Sequence, residues 1–356
     1  MRWILVVVAI LGCMVGVRAQ EAPAAPSTAP PTALGTGQSP ATPSETSQTP
    51  AANPEYTIRA GAKIVLVPAM VQEKNGQIIY GLKANQFVVE DDGVPQAVKL
   101  DEDTDQLGLS LVVLLQCSRS AMMEYSKLND LPTMIDGLVG GAPREVALVR
   151  YGSHPELVQP FTRDMDQMAQ SMARMGPCED DKAATIDAVS YAASILTNRR
   201  DRFRHAVLLI SETRDHGSSV KEQDVIAQLG KTNTVVNAVA FSPAKSEVVE
   251  GAKYHGGVNP LELIVWAVQA LRQNVPKTIA HLSGGEYINF TTKKGFENGL
   301  LDLSNHVHNY YLLSFVVPQG APDGLHEIRV RVPEYPSAVI RSRESYWAGD
   351  GKPPTQ

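Results

Sequence analysis

Two almost uninterrupted apolar stretches, residues 109–115 and 206–210, constrain the fold of this chain more than any other feature. Strands with one solvent-exposed face alternate apolar and polar residues, whereas continuous apolar strands occur where both faces of a sheet are covered. Amphipathic helical patterns, residues 164–175 and 187–196 among them, alternate with the apolar strands along the chain. The alternation predicts an α/β fold: a doubly wound, mostly parallel sheet with helices on both faces.

The segments on either side of this sheet domain, which we place at residues 106–308, have the pattern of short strands. Residues 56–105 contain β-rich runs joined by tight turns, with Asn75-Gly76 as the clearest turn signal. Residues 309–348 alternate apolar and polar side chains, as strands with one covered face do. We therefore expect small antiparallel β units from both flanking segments. Their strands either pair with each other or extend the central sheet.

The first residues have the parts of an export signal. A basic residue at position 2 precedes an apolar run from Trp3, and a small-residue cleavage pattern ends at Ala19. Residues 1–19 are therefore predicted to be a signal peptide, which sends the protein to the periplasm, the outer cell envelope or the medium. Two alternatives stay open: the apolar run is kept as a membrane anchor, or Cys13 is lipidated in a loosely lipobox-like context.

A segment rich in Pro, Ala, Ser and Thr follows, at residues 20–55, and it contains almost no large apolar side chains. Such a segment cannot offset its ordering entropy by burying apolar surface, so we predict a disordered tether. Residues 349–356 are predicted to be a short disordered tail.

Charge and motifs narrow the class of function. The formal net charge of −6 at pH 7 leaves no basic excess, so nucleic acids and anionic membrane surfaces are poor partners. The sequence carries no nucleophile elbow, P-loop, zinc-protease or dinucleotide-binding motif. We therefore expect a protein that is not an enzyme.

A polar loop, Gln116-Cys117-Ser118-Arg119-Ser120, follows the first apolar strand directly. Ligands of open α/β sheets bind at the carboxyl ends of the strands. This loop and the loops at residues 178–185 and 212–219 are therefore expected to share one face. The long segment 242–260 belongs to the same edge and is either a recognition loop or a mobile connector.

At these residues the chain resembles a von Willebrand factor type A domain, and the whole arrangement is similar to the related domain proteins of acidobacteria. The similarity rests on the apolar strands of residues 106–308 and on two flanking stretches, GLKANQFVVEDDGVPQ and YYLLSFVVP followed by HEIRVRV. The resemblance implies a von Willebrand A-type sheet and a role in protein–protein recognition.

The resemblance also implies a metal-ion-dependent adhesion site (MIDAS), which binds Mg²⁺ or Mn²⁺ through oxygen atoms of a D-x-S-x-S loop, a Thr and an Asp. In this sequence Gln116 stands at the first Asp position, Ala183 at the Thr position and Glu212 at the last Asp position. The residues that retain oxygen donors for a metal are Ser118, Ser120 and Glu212. Either this degenerate site binds Mg²⁺ or Mn²⁺ weakly, or it is a hydrogen-bonded cluster that needs no cofactor.

In such a domain Cys117 and Cys178 fall on the first and second loops of the site. They are either joined by a disulfide or present as two separate thiols.

The expected function is protein binding of the adhesion or assembly type at the cell envelope, with another protein as the partner. The residues assigned to the partner-binding face are Arg119, Thr185, Thr213 and Asp215. Two alternatives stay open: metal-dependent adhesion through an altered site, and a purely structural envelope component.

Overall fold

A six-stranded sheet with helices on both faces adjoins a β sandwich. The computed structural model describes residues 63–101, 108–141, 143–199, 203–241 and 259–350. The predicted signal peptide and tether, most of the predicted tail and the segment 242–258 lie outside these residues. The strands are β1 (Ile64–Gln72), β2 (Val88–Asp91), β3 (Val94–Gln96), β4 (Lys99–Asp101), β5 (Leu109–Gln116), β6 (Arg144–Tyr151), β7 (Pro155–Thr162), β8 (Arg204–Glu212), β9 (Thr234–Phe241), β10 (Tyr287–Phe290), β11 (Tyr311–Val316), β12 (Gly324–Arg331), β13 (Val339–Ser342) and β14 (Ser345–Ala348).

The helices are mostly where the amphipathic patterns place them. They are α1 (Leu131–Val139), α2 (Met165–Arg174), α3 (Thr185–Thr197), α4 (Glu222–Lys231), α5 (Pro260–Gln273), α6 (Val275–Ser283) and α7 (Lys293–Val307), with 3-10 helices at Ala84–Gln86 and Arg119–Lys127. Among the described residues, no helix is both long enough and apolar enough to cross a lipid bilayer.

The central sheet has the strand order β10-β9-β8-β5-β6-β7, and every pairing is parallel except that of β6 with β7. All eight residues of β5 are buried, and its side chains alternate between two apolar cores. Val112 and Leu114 pack in the core that contains residues of α3 to α6, while Leu111 and Val113 pack in the core that contains residues of α1, α2 and α7. The predicted doubly wound α/β fold is confirmed.

The flanking strands pair with each other and do not extend the central sheet. One four-stranded sheet has the order β13-β1-β11-β4 and the other the order β14-β12-β2-β3, so each combines strands from before and after the central sheet. Both sheets contribute to one apolar core, which includes Val67, Phe315, Val89 and Ile328. The two flanking β units therefore form one sandwich.

The sandwich packs closely against the sheet domain. Trp347 of β14 is 2% exposed and belongs to the core beneath α4 and α5. Gly230 of α4 permits this contact, because a Cβ atom there would lie 2.7 Å from the backbone nitrogen of Trp347. The guanidinium of Arg343 donates to the carbonyl oxygens of Leu66, in the sandwich, and of Gly230, near the end of α4.

Candidate functional site

Three loops meet at the carboxyl ends of the central strands. Gln116 ends β5 and Glu212 ends the neighbouring parallel strand β8, so the two side chains lie side by side. We call the surface formed by residues 116–120, 178–185 and 212–219 the site face. Segment 242–258, the other predicted part of this edge, lies outside the described residues.

The side-chain amide of Gln116 is the centre of the site face. Its nitrogen Nε2 lies 2.7 Å from Ser118 Oγ, 2.9 Å from Ser120 Oγ and 3.0 Å from Glu212 Oε1, and it donates to these oxygens. The amide oxygen Oε1 accepts the backbone N–H of Glu212 at 2.8 Å. That backbone donor fixes the orientation of the amide, because only an oxygen can face it. Gln116 and Ser118 are fully buried, while Glu212 is partly buried and Ser120 is exposed, so the network runs from the core to the surface.

The donors present do not fit a resident Mg²⁺ or Mn²⁺. A Mg²⁺ ion requires oxygen ligands at about 2.0–2.1 Å in near-octahedral geometry. Here the oxygens of Ser118, Ser120 and Glu212 surround an N–H donor, and Glu212 supplies the only carboxylate of the cluster. The geometry therefore favours the hydrogen-bonded cluster over the altered metal site.

A disulfide joins the first loop to the second: Cys117 and Cys178 are bonded, with Cα atoms 5.1 Å apart. The backbone N–H of Cys178 donates to the carbonyl of Cys117 at 2.7 Å, and that of Arg119 donates to the carbonyl of Asp180 at 2.8 Å. The side chains of Arg119 and Asp181 form an exposed ion pair at 3.0 Å. The first two loops are thus held together by a disulfide, two backbone hydrogen bonds and an ion pair.

The second and third loops are joined by backbone bonds. Ala183 and His216 exchange two N–H to carbonyl hydrogen bonds, of 3.0 and 2.8 Å. Asp215 accepts the backbone N–H of Ile186 at 3.0 Å, in the first turn of α3. In the same region Asp187 accepts the N–H of Ser219. Ala183, at the position where the resemblance implies a Thr, therefore contributes through its backbone.

A neighbouring carboxylate of the second loop is also held by hydrogen bonds. The hydroxyl and N–H of Ser153 and the N–H of Lys182 donate to Asp180. The bonds from Ser153 contribute most to keeping the pKa of the Asp180 carboxyl below its usual range.

The four residues predicted for the partner-binding face differ in how exposed their side chains are. Thr185 is fully buried and its hydroxyl lies 3.2 Å from that of Tyr151, so the prediction that it contacts a partner is wrong. Burial raises the pKa of Tyr151, which keeps this hydroxyl pair neutral. Asp215 and Thr213 are partly buried, while the side chain of Arg119 is 62% exposed.

Sequence reasoning missed two exposed residues beside the site face. Met122 is 45% and Met123 83% exposed, in the 3-10 helix that begins at Arg119. Large apolar side chains with this exposure suit contact with another protein. Residues 122–138 have the pattern of a single helix, which gives no reason to expect both residues at the surface.

The chain is similar to known proteins in structure but not detectably in sequence. No protein-family model matches the chain, and no curated protein matches it by sequence. Similar solved structures include an aerotolerance-related membrane protein from Bacteroides fragilis, with 15% identity over 56% of this chain and 99% of that chain and a TM-score of 0.40. The SpRpn10 VWA domain has 13% identity over 54% of this chain and 93% of its own, with a TM-score of 0.35.

Proximal thread matrix protein 1 from the mussel byssus, solved with a zinc-occupied MIDAS motif, has 11% identity over 63% of this chain and 51% of its own, with a TM-score of 0.42. Identities and TM-scores this low carry no argument about function. The description of the fold therefore rests on the strand order and pairings of the central sheet themselves.

Proposed function

We propose that this chain is an exported protein-binding module of the cell envelope, without catalytic activity, whose site face recognises its partner without a metal ion. The observation that carries the proposal is the amide of Gln116, whose nitrogen is hydrogen-bonded to Ser118, Ser120 and Glu212. A neutral donor supplied by the chain satisfies the oxygens that a metal ion would otherwise bind. Membership of the acidobacterial group and the domain boundaries predicted from the sequence are part of this proposal.

Rigid loops support a binding role. The disulfide, the two bonds between Ala183 and His216 and the Gln116 network join all three loops of the site face. A surface held in one conformation loses little conformational entropy when it binds a partner. Met123 and Arg119 project from this surface and supply apolar and charged contacts.

Photocrosslinking tests the proposal in cells that produce the protein. We would replace Met123 by the photoreactive residue p-benzoylphenylalanine and use the same replacement at Leu301, which is 59% exposed on α7, as the control. We expect one saturable adduct with another protein from position 123, little or none from position 301, and no loss of the adduct in chelator.

The other outcomes identify the alternatives. An adduct that disappears with chelator and returns with Mg²⁺ or Mn²⁺ would indicate metal-dependent adhesion. Equal, weak labelling from positions 123 and 301 would indicate a structural component with no partner on this face. In either case the proposal would be wrong.

A further inference from the structure

A second group of polar side chains lies inside the β sandwich, on strands and a turn that do not belong to the site face. Nδ1 of His326 is 3.2 Å from Asp91 Oδ1 and 2.9 Å from Asp92 Oδ2. His326 is 2% and Asp91 5% exposed. Asp91, Asp92 and His326 each offer one atom that can bind a metal, and these three atoms lie within 4.8 Å of one another. Charged groups are seldom buried this completely unless they are paired or bind a metal.

The other polar atom of each side chain has its own partner. His326 Nε2 lies 2.8 Å from the carbonyl of Pro322, and the hydroxyl of Tyr346 donates to Asp91 Oδ2 at 2.8 Å. The backbone N–H of Glu327 donates to Asp92 Oδ1 at 2.9 Å. The remaining polar atom of each side chain points to the same place: these atoms are His326 Nδ1, Asp91 Oδ1 and Asp92 Oδ2. Metal ligands are oriented in this way, with the distal atom of a histidine or carboxylate held by a hydrogen bond.

The backbone places these groups by a tight turn. Asp91 is the last residue of β2, and Asp92 and Gly93 follow with φ of 48° and 80°, as in the two-residue turns that join antiparallel strands. Asp tolerates this left-handed conformation better than most residues. β12, which carries His326, pairs with β2, so the turn brings both carboxylates to the imidazole.

We propose that Asp91, Asp92 and His326 bind one divalent transition-metal ion, with Zn²⁺ as the best-suited ion. One imidazole nitrogen and two carboxylate oxygens form a ligand set that Zn²⁺ accepts, and a water molecule can complete its four-coordinate shell. In a tetrahedral shell, metal–ligand bonds of about 2.0–2.1 Å place neighbouring ligand atoms about 3.3–3.4 Å apart. The separations of 3.2 Å from Nδ1 to Asp91 Oδ1 and 2.9 Å from Nδ1 to Asp92 Oδ2 are shorter than this by about 0.1–0.5 Å, so the side chains must move apart only slightly to admit the ion. The side chain of Asp92 is 18% exposed and gives the ion a path of entry.

A proton on Nδ1 of His326 competes with the metal ion for this nitrogen. Burial alone lowers the pKa of His326, but hydrogen bonds to Asp91 and Asp92 outweigh burial and raise the pKa to about 10 in the metal-free protein. A metal ion must displace that proton from Nδ1. It would then link chain segments 235 residues apart, and its role would be to stabilise the sandwich.

Cobalt provides the direct test, because Co²⁺ occupies zinc sites and absorbs visible light when it is coordinated. We would titrate the chelator-treated, full-length protein with Co²⁺ and then with Zn²⁺. We expect visible absorption that saturates at one equivalent and is abolished by Zn²⁺. Zn²⁺ at a hundred-fold excess over its Kd should raise Tm by about 5 °C.

Three variants locate the site. Asp92→Asn should lose the absorption and the Tm shift while still folding, since Asn also tolerates a positive φ and can accept the N–H of Glu327. Glu90→Gln removes the preceding carboxylate, which is 13% exposed and pairs with Arg331 instead of His326, and should keep both signals. Glu212→Gln, on the site face, should keep them as well.

Two results would overturn the inference. If the wild-type protein shows neither absorption nor a Tm shift, the cluster is a proton-bridged ion pair. If Asp92→Asn binds Co²⁺ like the wild type, the metal is bound elsewhere, and loss of binding in Glu212→Gln would assign it to the site face. Neither result depends on whether the chain has a protein partner.

Discussion

Gln116 carries within one side chain the donor and the acceptor that its surroundings need. An aspartate at this position would add a second carboxylate beside Glu212, and two neighbouring carboxylates are stable only with a cation or a proton between them. The amide is neutral, accepts the backbone N–H of Glu212 and donates to the oxygens around it. With an amide here, Glu212 supplies the cluster's single carboxylate, and its oxygen is hydrogen-bonded to the amide nitrogen.

Replacing this amide by a hydrocarbon of similar size should destabilise the fold. In Gln116→Leu the N–H of Glu212 loses its partner, and an unsatisfied group of this kind costs about 1–3 kcal/mol. The hydroxyl of Ser118 keeps a partner in Ser120, 3.1 Å away. We expect a loss of about 2 kcal/mol in the free energy of unfolding, measured by urea denaturation. Ser120→Ala, at an exposed position, should cost less than about 1 kcal/mol. Equal losses in the two variants would contradict this account of the network.

The hydrogen bonds to Asp180 predict that the free energy of unfolding depends on pH in the acidic range. Because these bonds lower the pKa of the folded carboxyl, the ionised form stabilises the fold above the unfolded-state pKa, and the effect is lost as pH falls through the folded-state value. Ser153→Ala removes the largest donor and should make the free energy of unfolding fall less between pH 5 and pH 3. Parallel wild-type and variant curves over this range would show that the carboxyl does not contribute.

At the residue scale the sequence predicted which side chains meet but not which of them are accessible. Gln116, Ser118 and Glu212 are expected close together because the ends of neighbouring parallel strands share one edge, and β5 and β8 are such neighbours. Thr185 lies on that edge too, yet its place in the first turn of α3 directs it toward Tyr151 in the core. Burial of this kind depends on packing across the sheet, which one sequence does not give.

At the scale of elements, the clearest difference from expectation lies just after the first site loop. Residues 122–138 have the pattern of one helix, but the structure forms a 3-10 helix at Arg119–Lys127 and then α1. Pro132 is the reason: proline has no N–H to donate to the preceding turn, so it stands in the first turn of a new helix. The break leaves Met122 and Met123 on a separate short element at the surface.

The disulfide between the first two loops should contribute measurably to stability. The bonded cysteines are 61 residues apart in sequence, and closing a loop of this length in the unfolded chain is worth about 4 kcal/mol in the chain-entropy model. We expect Cys117→Ala/Cys178→Ala to lose about that amount in urea denaturation. Dithiothreitol should lower the stability of the wild type and leave the double variant unchanged. No effect of dithiothreitol on the wild type would contradict the assignment.

Strand prediction succeeded where strands are buried on both faces and was weaker at the edges of the sandwich. β5 and β8 follow directly from their apolar runs. Residues 78–82 also have a strand-like pattern, but only Ile78 pairs, through a single bridge to Gln72. Gly81 has a φ of 76°, which no extended strand adopts, and this interrupts the pairing.

At the scale of the whole molecule, the sandwich and the sheet domain share apolar and polar contacts. Arg343 is 2% exposed, and its guanidinium donates to six oxygen atoms, none of them from a carboxylate. Burial lowers its pKa to about 10, so it stays charged at neutral pH. Three of its acceptors, the carbonyls of Leu229, Gly230 and Thr232, lie at the end of α4, where a positive charge is favourable.

These shared contacts predict that the sandwich and the sheet domain unfold together. Scanning calorimetry should show a single transition, and Arg343→Met should shift it as a whole, with a loss of about 3–5 kcal/mol because buried carbonyls lose their donor. Arg341→Met, at a side chain that is 53% exposed, should cost less than about 1 kcal/mol. Two separable transitions in the wild type would contradict this prediction.

Each sheet of the sandwich combines strands from before and after the central sheet, and this arrangement determines how the molecule would respond to mechanical force. The chain enters the described structure at β1 and leaves it after β14, and the ammonium of Lys63 binds the carbonyl of Trp347 at 2.6 Å. The sheet domain is an insertion between strands that pair with each other, such as β1 with β11 and β2 with β12. A pull on the two ends therefore acts first on the sandwich, while the loops around Gln116 carry little of the load.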